Sequence, residues 1–150
     1  MTERPVLICY DGSTEARRAI DVAAELLGSR AAVVLDVAPL MTVGQSVAAT
    51  ASPAGNRSFA GYNQADARRR AEEGAEHARE AGFTAEARAA LASSTWEGIV
   101  DAADELDASV IVLGSRGLTR ARELFRGSVS HDVAGHAGRP VLIVPPPPAR

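Results

Sequence analysis

Glycine, serine and an apolar run near the carboxyl end of the chain form a pattern that could bind phosphate. The run "VIVLG" ends at Gly114, and Gly117, Gly127 and Ser128 follow it. Glycine has no Cβ atom, so a ligand can approach the backbone closely at these positions. Amides exposed at the start of a helix attract anions, and Ser128 adds a hydroxyl donor. The pattern predicts a phosphate site, although the same residues could form only a strand-to-helix turn with a serine cap.

Charged residues near this pattern and after the first apolar run could assist binding. Arg116 and Arg126 lie between the glycines, where guanidinium groups could pair with phosphate oxygens or remain solvated. Asp11 follows the run "VLICY" and could hold Mg²⁺ beside a bound phosphate or cap the first helix. No other carboxylate can be placed in the site from the sequence, so slow hydrolysis of a bound phosphate stays open while binding is favoured.

Apolar runs alternate with helical patterns along the whole chain. The predicted strands are residues 6–10, 31–37, 83–91, 108–114 and 140–145. Helices are predicted between them, with Gly28 ending the first, and a capping box from Ser94 to Glu97 opening the third. Residues from Ala38 to about Gly61 read as a long loop. This alternation predicts an α/β fold with a parallel sheet covered on both faces.

The position of the site follows from that architecture. Ligands of open parallel sheets bind beyond the carboxyl ends of the strands, where the strand order reverses. The segment "DGS" follows the first strand and "GSRG" follows the fourth. If those two strands are neighbours, both segments face one crevice.

Composition limits the classes of function. The chain has 150 residues, 46% of them hydrophobic, which suits one domain. All 16 basic residues are arginine, so a Walker A phosphate loop and Schiff-base chemistry are excluded. The net charge of -3 argues against a nucleic-acid partner, and no apolar run reaches the length of a membrane span. Without a recognisable signal peptide, the expected location is the cytoplasm.

The glycine spacing and its surroundings resemble a known family. The chain matches the pattern G-x2-G-x9-G-S/T, with "YDGS" after the first strand, "VVLDVAP" in the second and "RPVLIVP" near the end. In this respect it resembles the ATP-binding branch of the universal stress proteins. The resemblance implies a three-layer, Rossmann-like fold of the adenine nucleotide alpha hydrolase-like type, with a five-stranded parallel sheet in the order 3-2-1-4-5. It spans residues 1–145 and leaves residues 146–150 as a proline-rich tail.

The resemblance also implies roles for individual residues. The ligand is expected to be ATP, with Mg²⁺, and Val37 would read the adenine edge through its backbone. Ribose and phosphate contacts fall on Gly114, Gly117, Gly127, Ser128 and the Val129 amide, with Arg116 and Arg126 nearby. Asp11 occupies the position of the family's acidic residue near the nucleotide.

The expected function is a nucleotide-dependent sensor or regulator of the stress response. ATP would order residues 115–126 and 38–60, and an unidentified protein partner would recognise the change. Two alternative functions stay open: a cyclic AMP-binding protein and a structural dimer that binds no nucleotide. An adenylyl-transferring enzyme is disfavoured, because neither a "HIGH" signature nor an "SGGxDS" loop occurs. The family resemblance and the apolar last strand predict a homodimer through Val141, Leu142, Ile143 and Val144.

Overall fold

Five strands and four helices alternate along the chain in a computed structural model that describes residues 2–40, 55–115 and 128–148. The strands are β1 (Val6–Cys9), β2 (Ala31–Pro39), β3 (Thr84–Ala92), β4 (Val110–Gly114) and β5 (Val141–Val144). The helices are α1 (Thr14–Leu27), α2 (Gly55–Ala81), α3 (Thr95–Leu106) and α4 (Ser128–His136). All predicted elements are present, and most of their ends differ from the predicted ones by one or two residues.

The strands form one parallel sheet in the order β3-β2-β1-β4-β5, which confirms the predicted fold. Cys9 of β1 is paired with Leu35 of β2, and Ile8 is paired with Val112 of β4. Parallel pairing places the carboxyl ends of all five strands at one edge of the sheet. The order reverses between β1 and β4, which are neighbours, so the segments after these two strands lie at the edge where ligands of such sheets bind.

Apolar side chains fill both faces of the sheet, as its parallel pairing requires. One face carries Ile8, Val34 and Val112 and is covered by α1 and α2. The other carries Leu35 and Ile111 and is covered by α3 and α4. Because successive residues of a strand point to opposite faces, each strand contributes side chains to both clusters.

The start and end of α1 are fixed by local chemistry. Gly12 has φ 85°, a conformation that favours glycine, and lets the chain turn sharply after β1. Ser13 is the N-cap, and its hydroxyl oxygen accepts from the Ala16 amide at 3.1 Å. Gly28 ends the helix with φ 72°, as predicted, and its amide donates to the Ala24 carbonyl.

Two local predictions are wrong. The predicted loop to Gly61 is too long, because α2 already begins at Gly55; residues 41–54 lie outside the described part of the chain. Extending an existing helix costs less than nucleating one, so weak helix formers can join its first turns. The predicted capping box at α3 is also absent, because the Ser94 hydroxyl makes no cap bond, and Glu97 accepts from Ser93 Oγ at 3.3 Å instead.

Helix α2 packs very closely on the sheet at Gly74. A Cβ atom there would lie 2.7 Å from Tyr10 ring carbons and 2.8 Å from Val34 Cγ1. These distances are too short for real contacts, and neither neighbour is the end of a flexible chain. Gly74 therefore sets how closely α2 packs on β1 and β2.

Gly74→Ala is expected to destabilise the protein by about 1–3 kcal/mol through overpacking. Gly135→Ala in α4 is the matched control, because a Cβ atom there meets nothing within 4 Å among the described residues. The control should gain up to about 1 kcal/mol from helix propensity. Urea unfolding measures both free energies, and equal stabilisation by the two substitutions would contradict the close packing at Gly74.

Candidate functional site

The carboxyl edge of the sheet has a notch where β1 ends before its neighbours. The last bond from β1 to β2 runs from the Tyr10 amide to the Leu35 carbonyl at 2.9 Å. β2 continues to Pro39 and, past Leu35, pairs only with β3 among the described strands. On the other side β4 continues to Gly114, one residue beyond the level of Cys9. We call this gap, between the ends of β2 and β4, the notch.

The backbone of Val37 faces the notch. In a parallel strand, the amide and carbonyl of one residue point to one neighbouring strand, and those of the next residue point to the other. Leu35 accepts from Tyr10, the residue after β1, so Val37, two residues on, also turns its backbone toward the β1 side. The ladder from β1 stops before it, so within the described residues no strand uses these two groups. The Val37 side chain points away, toward α3, where a Cβ atom on Gly98 would lie 2.8 Å from its Cγ1.

Asp11 lies at the floor of the notch, directly after β1. Its Oδ1 accepts from the Ser13 amide at 2.9 Å. Its Oδ2 is buried and has no hydrogen-bond partner within the described part of the chain. Asp11 does not cap α1, because Ser13 has that role. A buried carboxylate oxygen without a partner is costly, so a cation or a donor from a ligand would stabilise it.

A second carboxylate, Asp36, is buried on β2 beside the notch. Arg70 of α2 donates from Nε to Asp36 Oδ2 at 2.5 Å. Burial raises the pKa of Asp36, the ion pair with Arg70 partly offsets that rise, and the negative charge of Asp11 adds to it. The two carboxylates are therefore close enough to interact, and only Asp36 has a basic partner among the described residues.

A polar network beside the notch fixes α2 against α1 and β1. The hydroxyl of Tyr10, at the end of β1, donates to Glu73 Oε1 at 2.8 Å. Arg17 of α1 donates to the Tyr10 hydroxyl at 3.2 Å and also pairs with Glu73. These bonds lower the pKa of Glu73, whereas burial raises the pKa of Tyr10. The network holds the residue that precedes Asp11 in one position.

The neighbouring thiol is not a nucleophile. Cys9 is buried in the sheet, and burial together with the charges of Asp36 and Asp11 raises its pKa far above the usual range. A thiol in that state stays protonated at neutral pH.

The predicted site residues divide into two groups. The structure brings Asp11, Val37 and Gly114 to the same edge of the sheet. Ser128 and Val129 are the first two residues of α4. The remaining predicted residues lie outside the described ranges; these are Arg116, Gly117, Arg126 and Gly127.

Sequence reasoning missed Asp36 and Arg70. A signal for Asp36 was present, because it is a charged residue inside the apolar run "VVLDVAP". Arg70 had no such signal, since it is the last of three consecutive arginines on a charged helix. Only the packing of α2 on the sheet distinguishes it from its neighbours.

Histidines and metal ligands add little to this site. Where the structure describes the chain, no three histidine, cysteine or acidic side chains are placed to hold a metal ion. His77 pairs with Asp21 at 2.9 Å, and His136 stacks on Trp96 with 4.4 Å between ring centroids. A metal ion in the notch would need ligand atoms from a bound molecule in addition to Asp11.

None of the described helices is both long and apolar enough to cross a membrane.

Comparison with known proteins places the chain in a family. The model of the universal stress protein family matches residues 3–145, so the chain belongs to that family. It is 31% identical to the universal stress protein YxiE of Bacillus subtilis (strain 168) over 148 residues, covering 93% of this chain and 97% of the relative. This finding confirms the resemblance to the family, whereas the ATP-binding branch stays a prediction.

Two similar solved structures are nucleotide complexes. A universal stress protein from Archaeoglobus fulgidus in complex with dAMP is 25% identical, with a TM-score of 0.64 and coverage of 96% of this chain and 99% of that one. A universal stress protein in complex with cAMP is also 25% identical, with a TM-score of 0.64 and coverage of 94% and 96%.

Asp11→Asn is expected to raise the free energy of unfolding of the nucleotide-free protein by about 1 kcal/mol, because it removes a partly unpaired charge next to Asp36. Asp101→Asn on the exposed surface of α3 is the control, with an expected change below about 0.5 kcal/mol. Chemical denaturation at neutral pH measures both. A loss of stability in Asp11→Asn would show that the carboxylate is already satisfied.

Proposed function

We propose that this chain is a universal stress protein that binds ATP with Mg²⁺ in the notch and acts as a nucleotide-dependent sensor or regulator in the stress response. The observation that carries the proposal is the buried, unpartnered Oδ2 of Asp11 near Val37, whose backbone no described strand pairs with on the β1 side. Relatives of similar fold in complex with dAMP and cAMP support an adenine nucleotide as the ligand. The glycine pattern that begins at Gly114 supports a ligand with several phosphates.

Each half of the notch suits one part of the nucleotide. On the β2 side, the amide and carbonyl of Val37 can form one donor and one acceptor contact with the adenine edge. On the β4 side, Gly114, Gly117, Gly127, Ser128 and the Val129 amide would hold ribose and phosphates. Arg116 and Arg126 would add charge-assisted contacts to the phosphates.

Asp11 suits Mg²⁺ when the nucleotide is present. Mg²⁺ prefers oxygen ligands and is commonly held by one or two carboxylates together with substrate phosphates. Asp11 supplies one such oxygen, and the rest would come from the nucleotide and water. When bound, Mg²⁺ would neutralise phosphate charge next to the carboxylate.

Binding rather than turnover is the proposed activity. Phosphoryl transfer requires a group that orients the attacking nucleophile. Among the described residues at the notch, Asp36 is engaged with Arg70, and Asp11 is assigned to the cation. Any hydrolysis of ATP is therefore expected to be slow.

Cyclic AMP is the second candidate ligand, favoured by the relative in complex with cAMP. It would keep the contacts of the β2 side but place only one phosphate near the glycine pattern. Competition between Mg-ATP and cyclic AMP separates the two candidates. A higher affinity for cyclic AMP would replace ATP as the proposed ligand.

Mg-ATP is expected to bind saturably in a calorimetric titration, and Gly127→Val is expected to abolish that binding by obstructing the phosphate approach. Gly135→Val in α4 is a matched glycine control, because its Cβ position is open among the described residues.

Asp11→Asn should weaken binding of Mg-ATP more than binding of ATP in the presence of a chelator. Absence of binding by folded, nucleotide-free wild-type protein would leave cyclic AMP or the structural dimer as the leading account.

A homodimer through β5 is also proposed. β5 lies at one edge of the sheet, and its Ile143 side chain is 38% exposed. Val144 directs its carbonyl to β4, where it accepts from the Ser115 amide at 3.0 Å, so Val141 and Ile143 turn their backbone groups outward. Such an edge can pair with a second copy.

Ile143→Pro should convert a dimer to a folded monomer, because it removes an outward amide without touching the bonds to β4. Ile143→Val keeps that amide and should remain dimeric. Sedimentation equilibrium of the two variants gives the mass of each. A proline variant that remains dimeric would place the interface elsewhere.

A further inference from the structure

An ion pair beside the notch has no part in the proposed binding of phosphate or Mg²⁺. Arg70 donates from Nε to Asp36 at 2.5 Å, and the Asp36 side chain is only 7% exposed. The Arg70 side chain is 36% exposed, so part of it reaches solvent. Among the described residues, Arg70 forms no ion pair with a carboxylate other than Asp36. A buried carboxylate thus fixes one edge of a partly exposed guanidinium group.

The position of Arg70 places it on the base side of the notch. Its aliphatic stem lies over Gly12, where a Cβ atom would be 3.4 Å from Arg70 Cδ. Gly12 follows Asp11, and Asp36 precedes Val37, so Arg70 spans the loop after β1 and the exposed end of β2. The glycine pattern starts at the end of β4, on the opposite side of β1.

We propose that Arg70, oriented by Asp36, is a further ligand-binding residue whose guanidinium face contacts the purine ring, with Asp36 as its positioning residue. This inference rests on the proposed nucleotide site. A guanidinium group is planar and delocalised and stacks on aromatic rings, including nucleobases. The bond to Asp36 holds the Nε edge, so less side-chain entropy is lost when a ring packs on the group.

Arg70→Lys tests the role of the guanidinium plane, because lysine keeps the positive charge opposite Asp36 but has no planar group. Affinities for adenosine, AMP and Mg-ATP are measured by calorimetry. We expect binding of all three to weaken by the same factor, about three- to tenfold, since the purine is common to them. A loss that grows from adenosine to ATP would mean that Arg70 contacts phosphate and would overturn the proposal, as would unchanged binding.

Arg79→Lys is the matched control on the same helix. Arg79 pairs with Glu72 and donates to the Ala85 carbonyl at 3.0 Å, on the neighbouring edge strand. It should bind all three ligands as the wild type does. Thermal melting of each variant shows whether it is folded at the titration temperature.

The positioning role of Asp36 is tested by Asp36→Asn and by the double variant with Arg70→Lys. If Asp36 acts through Arg70, Asp36→Asn weakens adenosine binding, and the double variant binds no more weakly than Arg70→Lys alone. Additive losses would overturn that role. Failure of the wild type to bind any of the three ligands would defeat the proposed function and this inference with it, whereas normal binding by a folded Arg70→Lys protein defeats only the inference.

Discussion

The structure depends on one constraint: β1 is shorter than the strands on either side of it. The buried backbone groups of a parallel sheet must be paired. The hydrogen bonds between β1 and β2 extend only as far as Leu35. Beyond that level the backbone of Val37 turns toward a gap instead of a strand. The gap lies where the strand order reverses, so the helices on its two sides cover opposite faces of the sheet. The same shortening brings Asp11 to the floor of the gap.

Charge is distributed unevenly around this gap. The carboxylates of Asp11 and Asp36 are close enough to interact, and they have different partners. Asp36 is neutralised by Arg70, whereas Asp11 uses one oxygen for a backbone amide and leaves the other buried. The chain contains no lysine, so the ion pairs of Asp36 and Glu73 are made by planar guanidinium groups. Such groups form directional pairs, and the contacts of Arg17 and Arg70 fix α2 above the site.

Much of the fold and part of the site could be predicted from the sequence, for identifiable reasons. Continuous apolar runs such as "VLICY" and "ASVIVLG" predicted buried parallel strands, and the spaced glycines indicated the end of β4. The start of α2 at Gly55 was not predicted, because a helix can extend through residues that would not initiate one. The predicted capping box of α3 was wrong, because the spacing from Ser94 to Glu97 does not determine where the Ser94 hydroxyl points. The contact of Arg70 with Asp36 could not be predicted, because it joins residues 34 positions apart and no local sequence pattern indicates it.

The most direct test of the account is a crystal structure of the protein with Mg²⁺ and a non-hydrolysable ATP analogue. The account predicts the base against the backbone of Val37, Asp11 next to the metal or its bound water, and the phosphates at the end of β4 near Ser128. A nucleotide bound anywhere else, or a base that makes no contact with the β2 side of the notch, would contradict it.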